Sequence, residues 1–327
     1  MPERVIAVVG PTAAGKSELS LGLALALGGE VVNADSMQLY AGMDIGTAKL
    51  SPEERRGVPH HLLDIWDVRQ AASAATYQRL AREAIAGIHG RGRVPVLAGG
   101  SGLYVRAALD NLEFPATDPA VRERLETELA TAGPGALHAR LAALDPAAAA
   151  AILPSNGRRI VRALEVIEVA GRPFAAVLPQ YESRYPVVQI GLRVGRPELD
   201  RRIEERTARM WREGLVDEVA TLERAGLREG KTASRALGYA QVLRYLAGEC
   251  TQDEARAQTI LATRRFARRQ EAWFRRDPRV SWLAADAGNA DGLLGLALAV
   301  CAGEPAPGTA DTAPGTADTA PAGPAAG

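Results

Sequence analysis

Gly10-Pro11-Thr12-Ala13-Ala14-Gly15-Lys16-Ser17 is the stretch from which the fold is read. Glycine, four residues, then Gly-Lys-Ser is the phosphate-loop pattern. It lies between a short apolar run, Arg4 to Val9, and a helical pattern, Lys16 to Leu27, so strand, loop and helix follow in the order the pattern needs. The glycines let successive backbone amides converge on phosphate oxygens, and the helix N-terminus adds partial positive charge. Lys16 adds a full charge, and the Ser17 hydroxyl is placed to hold magnesium. A di- or triphosphate, as in nucleotide and ATP binding, is the ligand class this predicts.

Further along, Glu30 to Ala34 reads as the next strand, a helix is expected from the cap Ser73 to just before Gly90, and Val94 to Ala98 reads as another buried strand. Alternating β and α predicts an α/β fold with a parallel sheet, a P-loop NTPase-like core. From Phe114 to Arg184 only helices are expected, with starts at Asp118-Pro119 and Asp145-Pro146 and a breaker at Gly133-Pro134-Gly135. Pro186 to Val194 then returns as a strand, and helices fill most of Pro197 to Phe274. The expected division is therefore a core over 1–113, an all-helical insertion over 114–184, the second part of the core over 185–302, and a disordered tail over 303–327. The tail repeats Ala-Pro-Gly-Thr-Ala-Asp-Thr at 306–312 and 313–319, too polar and proline-rich to pack.

Composition narrows the class. Of 327 residues 47% are hydrophobic and 24% charged, ordinary for a soluble globular protein and inconsistent with wholesale disorder. Basic and acidic residues balance at 39 each, so any anion-binding surface must be local. Cys250 and Cys301 are too few for a disulfide framework or a tetrahedral metal site, and suit a reducing cytoplasm. The apolar run Gly292 to Ala302 is shorter than the ~20 residues that span a bilayer. A cytoplasmic protein with no membrane partner is the expectation.

Asp35, in Val31-Val32-Asn33-Ala34-Asp35-Ser36, falls at the carboxyl end of a strand, where open α/β sheets bind ligands. It is placed either to serve magnesium or to act as a general base. Gly99-Gly100-Ser101 brings a second glycine turn and a hydroxyl to the same edge, and carries no acidic residue where an ATPase would have one. His60 and His61, adjacent in an extended segment, point opposite ways, which argues against a shared metal. Eight arginines stand against two acids from Arg256 to Arg279. On a helix, Arg264, Arg265, Arg268, Arg269, Arg275 and Arg276 fall within an arc of roughly 140°, with Phe266, Trp273 and Phe274 pointing away. One face is expected to pack and the other to meet a polyanion such as nucleic acid.

With these motifs in order, the chain resembles the bacterial tRNA dimethylallyltransferase (tRNA isopentenyltransferase) family. The resemblance runs from Gly10 to about Trp282. It rests on the phosphate loop, Asp35 to Tyr40, Gly42 to Lys49, Pro59 to Ile65, Gly99 to Tyr104, Arg158 to Glu165, Leu237-Gly238-Tyr239 and the Arg/Gln helix. It implies transfer of a dimethylallyl group from dimethylallyl diphosphate to the exocyclic amine of the adenine immediately 3′ of the tRNA anticodon. By the same resemblance Gly10 to Ser17 hold the diphosphate, with Mg2+ at Ser17, Ser101 and Arg206 in support, and Asp35 as general base. Asp35, Ser36, Met37 and Gln38 would surround the flipped adenine. Arg122, Arg158, Arg159 and Arg162 would contact the anticodon arm, and Arg264, Arg265, Arg268 and Arg269, on the arginine face, are the further residues expected to bind tRNA. A monomer is expected. Ser101 stands where the family often has threonine, Ala240 where a basic residue is common, and Arg265 where glutamine is expected. A small-molecule P-loop kinase and an adenylate isopentenyltransferase share parts of this pattern, but neither needs the arginine face.

Overall fold

The computed structural model describes residues 4–174, 180–285 and 290–306. The chain divides into two compact units, one from Met1–Leu109 and Tyr185–Gly327, the other Asp110–Arg184.

The first unit is built on a sheet that has six strands among the described residues: β1 (Val5–Val9), β2 (Gly29–Asn33), β3 (His60–His61), β4 (Val94–Gly99), β5 (Val187–Arg193) and β6 (Val280–Ala284). Their order is β3-β2-β4-β1-β5-β6 and every pairing is parallel. All five residues of β1 are buried, the uninterrupted apolar run expected of a strand covered on both faces. Between the strands come α1 (Lys16–Leu27), α2 (Ala74–Gly90) and α3 (Gly102–Leu109). Ser73 caps α2 by accepting from the Thr76 amide at 3.3 Å. α2 and α3 pack together, with Tyr77 stacked on Tyr104 at 4.4 Å.

The second unit holds α4 (Pro119–Leu144), α5 (Pro146–Ala151) and α6 (Gly157–Ala170). Asp118 and Asp145 cap α4 and α5, each followed by proline at the first helical position. The expected breaker interrupts α4 at Gly133, whose φ of 78° and ψ of 166° are not helical, so the span is two helical stretches that meet at a kink. Leu125, Leu137, Leu141, Ile160 and Leu164 form the core of this unit.

Beyond β5, the first unit continues with α7 (Arg196–Arg212), α8 (Leu215–Arg224), α9 (Tyr239–Leu246) and α10 (Gln252–Phe274), and after β6 with α11 (Ala290–Ala302). The buried stripe of α10 is Ala255, Thr259, Thr263, Ala267, Gln270 and Phe274. This corrects the expectation for Phe266, which is half-exposed with Arg269 5.8 Å from its ring centroid. Small residues on the inner face let α10 approach α7 and α9 closely. The expected tail lies outside the described residues from 307 onward. Residues 303–306 are described; Ala306 is 5% exposed and packs with the sheet core, while Gly303, Glu304 and Pro305 are exposed.

Candidate active site at the carboxyl edge of the sheet

Parallel pairing and register put three loops level with one another. Val9 lies opposite Gly99, and Asn33 opposite Ala98. The phosphate loop after β1, the Asp35 loop after β2 and the Gly100-Ser101 turn after β4 therefore leave the sheet side by side. Close approach requires the glycine at 99, where a Cβ would lie 2.3 Å from the Ala34 carbonyl. At Gly10 (φ 136°), a Cβ would lie 2.8 Å from the Leu192 carbonyl oxygen on β5.

Gly15, left-handed at φ 94°, is the N-cap of α1 and offers no capping side chain, so the first amides of the helix remain available to an anion. Lys16 Nζ donates to Pro11 O at 2.7 Å. Desolvation draws its ammonium down to about 8, opposed by Asp35 and reinforced by Arg206. Arg206, on α7, donates to Thr12 Oγ1 at 2.6 Å; burial lowers its pKa while Asp35 raises it. Two cations and one carboxylate thus share the phosphate-loop end of the sheet.

Asp35 Oδ1 accepts from the Met37 amide at 2.9 Å. Buried Asn33 shapes this loop, accepting from the Asp35 amide at 2.9 Å and donating to the carbonyls of Asp35 and Leu62, each at 3.0 Å. Ser101 Oγ accepts from the Ser36 amide at 3.1 Å and donates to Ser36 Oγ at 3.2 Å. Ser101 is thereby tied to the Asp35 loop.

The Gly42–Lys49 loop is held by Glu218, which carries no local sequence signal, and by Lys49 and Tyr239, which belong to the motifs quoted above. Glu218 of α8 accepts from the amides of Asp44, Ile45 and Gly46 at 3.1, 2.7 and 3.2 Å, and from Tyr239 Oη at 2.5 Å. Lys49, 3% exposed, bridges Asp44 and Asp64 and donates to Tyr40 O at 3.0 Å. Gln38 Nε2 in turn donates to Thr47 O at 3.1 Å. The polar Gly42–Lys49 segment and Tyr239 are thus a frame that orients Gln38. His61 pairs with buried Glu30 at 2.6 Å, and His60 Nδ1 lies 2.9 Å from Val58 O.

Among the arginines, Arg265, Arg268 and Arg269 are exposed on α10, and Arg275 and Arg276 are exposed just past its end. Arg264 departs from the expected set: it is committed to Glu204, with Asp200 at 3.7 Å, both on α7. In the helical unit Arg122 and Arg162 depart in the same way. They converge on fully buried Glu165 at 2.5 and 2.8 Å, and Arg162 also donates to the carbonyls of Pro115 and Ala116. A buried carboxylate needs such partners, so both arginines also serve the fold of this unit. Arg158 and Arg159 are exposed.

No cluster of three or more His, Cys, Asp or Glu side chains is placed to hold a metal among the described residues. Exposed Ser17, at the uncapped start of α1, nonetheless suits Mg2+, which takes oxygen ligands and is commonly completed by substrate phosphates and water. No described helix is long and apolar enough to cross a membrane.

A family model for IPP transferase matches residues 38–277. A tRNA dimethylallyltransferase of Thermobifida fusca is 72% identical over 288 residues, 86% of this chain and 90% of that protein. One of Streptomyces avermitilis is 71% identical over 295 residues, 90% and 95% of the two chains. The solved tRNA isopentenylpyrophosphate transferase of Bacillus halodurans superposes with a TM-score of 0.70 at 43% identity, covering 92% of this chain and 96% of that one.

Proposed function

From the membership of this chain in the IPP transferase family, we infer that it transfers a dimethylallyl group from dimethylallyl diphosphate to the exocyclic amine of the adenine immediately 3′ of the tRNA anticodon, releasing diphosphate. The observation that carries this reading is the pairing of a phosphate loop with Asp35 on level strand ends, with no acidic residue at the end of β4. A carboxylate beside the leaving group fits acceptor activation.

The chemistry makes two demands. An adenine amine is delocalised into its ring and becomes nucleophilic as its proton leaves, so Asp35 accepts that proton while nitrogen attacks the allylic carbon. The breaking carbon–oxygen bond places its electrons on the diphosphate, where Lys16, Arg206 and the amides of the α1 N-terminus stabilise the added charge. Mg2+, held through Ser17, would supply further charge neutralisation at the diphosphate. Ser101 keeps the Asp35 loop in place through Ser36. Ser36, Met37 and Gln38 form the adenine side of the site, Gln38 oriented by the Thr47 carbonyl.

Arg265, Arg268 and Arg269, with Arg158 and Arg159, are the proposed RNA contacts; their exposure supports this. A monomer working in the cytoplasm is the simplest assembly, since the phosphate loop, Asp35, Ser101 and Arg206 all come from one chain. The decisive experiment is mass spectrometry of nucleosides from unmodified tRNA incubated with the protein, dimethylallyl diphosphate and magnesium. A dimethylallyl adenosine is expected. Unmodified tRNA, or phosphate transfer from ATP to a small molecule with release of ADP, would overturn the reading.

A further inference from the structure

Gln270 lies on α10, the helix whose outer face carries the exposed arginines, yet its own side chain points inward and the residue is 5% exposed. Both ends of its carboxamide are in use. Oε1 accepts from the Thr12 amide, inside the phosphate loop, at 2.8 Å. Nε2 donates to the carbonyl of Gly100, at the turn that carries Ser101, at 3.0 Å. There is no slack in this arrangement, because a Cβ on Gly100 would come within 2.2 Å of Nε2. One helical turn later Trp273 closes on Gly102, where a Cβ would lie 2.1 Å from the indole Nε1. The two glycines match the two helix positions, and α10 is seated on this turn in one register.

We propose that Gln270 is a positioning residue for the transfer reaction. It sets the spacing between the loop that holds the leaving diphosphate and the turn whose Ser101 fixes the Ser36 amide next to Asp35. The inference rests on the prenyl-transfer reading above. A carboxamide is the side chain suited to this place, since it presents an acceptor to one loop and a donor to the other. Glutamate has no donor for Gly100 O, methionine of similar length has neither strong group, and asparagine is one methylene short. Nucleophile and electrophile react from separations of about 3–3.5 Å, and a displacement on the order of 1 Å costs about 10²-fold in rate. On the prenyl-transfer reading, the donor belongs to the phosphate-loop side and the acceptor to the Asp35 side. Loosening the link therefore slows the chemical step more than it weakens either affinity.

The test uses Gln270→Glu and Gln270→Met in single-turnover reactions with enzyme in excess over tRNA. The rate constant at saturating donor is expected to fall about 10- to 100-fold, at full amplitude. The half-saturating donor concentration and tRNA affinity should stay within about threefold of wild type. A merely structural role removes folded protein, which raises the total enzyme needed to reach saturation and leaves the rate constant at saturating enzyme alone. Gly100→Ala, which drives a methyl into the Nε2 position, provides an independent variant with the same expected loss of rate. An unchanged rate constant, or a loss confined to amplitude or to tRNA affinity, overturns the proposal. Wild-type turnover in the same assay distinguishes failure of this inference from failure of the prenyl-transfer reading.

Discussion

Lys16 is half-buried, folded back on Pro11 O and flanked by Asp35 and Arg206. Its charge lies where a departing diphosphate gains negative charge, so Lys16→Ala is expected to lower the single-turnover rate by about 10²- to 10³-fold, the range for losing one preorganised donor to a developing anion. Filter binding should show tRNA affinity unchanged; near wild-type turnover would remove the donor from this loop. Asp35→Asn keeps the shape and the acceptor for the Met37 amide but cannot take a proton. Its chemical step should slow by about 10²- to 10⁴-fold at saturating substrates, and a loss confined to tRNA affinity would make Asp35 a binding residue only. Lys16, Ser17, Asp35 and Ser101 are legible in sequence because a spaced motif or a strand end marks each. Glu218 is not, because its partners are backbone amides and a hydroxyl brought near by folding, and Lys49 is marked only as the end of the Gly42–Lys49 motif, its two carboxylate partners being visible in the fold alone. Gln270 is visible as part of the Arg/Gln helix, but its contact with Thr12 spans 258 positions.

At the scale of elements, β2 carries a buried carboxylate, Glu30, 3% exposed and bonded to Arg91 at 2.6 Å and to His61 at 2.6 Å. The Arg91 hydrogen bonds lower its pKa most, with His61 helping and burial opposing, and it is held at about 2 instead of 4.5. Because the folded value lies below the unfolded one, the cluster stabilises the fold above pH 4.5, and that contribution is lost as pH falls from 4.5 toward 2. The melting temperature of Glu30→Gln, followed by circular dichroism, should decline less steeply over that interval than that of wild type. Equal slopes would show the cluster to be neutral. Helix starts at Ser73, Asp118 and Asp145 were readable because each supplies a capping oxygen. β3 agrees with the extended segment expected at His60 and His61, although two residues give no period from which to read a strand. The inner face of α10 was misread at Phe266 because hydrophobicity favours the aromatic, whereas close helix packing selects Ala and Thr.

For the whole molecule, balanced charge conceals segregation. Many arginines are spent on nearby acids, among them Arg201, Arg202, Arg264 and Arg279, while Arg265 and Arg268 stand exposed on α10. Phosphate contacts act within about 8–10 Å at physiological ionic strength, so a local surplus suffices for RNA. Arg265→Glu combined with Arg268→Glu should weaken tRNA binding and flatten its dependence on salt by roughly two units of slope. The half-saturating concentration of dimethylallyl diphosphate should not move, and the modified base should remain the same. Filter binding across a salt series decides this; an unchanged slope in a folded variant would assign the face to another partner. Composition made this surface legible in outline, but it could not separate Arg264, which answers α7, from its neighbours.

The desolvation of Lys16 also has a practical side. The chain has three lysines, Lys16, Lys49 and Lys231, and Lys49 is locked between two carboxylates. With its ammonium near 8, Lys16 is unprotonated at neutral pH roughly two orders of magnitude more often than an ordinary lysine. Acylating reagents meet few competing side-chain amines here and a nucleophilic one at the phosphate loop. A diphosphate seated at this loop would shield the nitrogen, so covalent labelling at this residue should fall as the donor pocket fills.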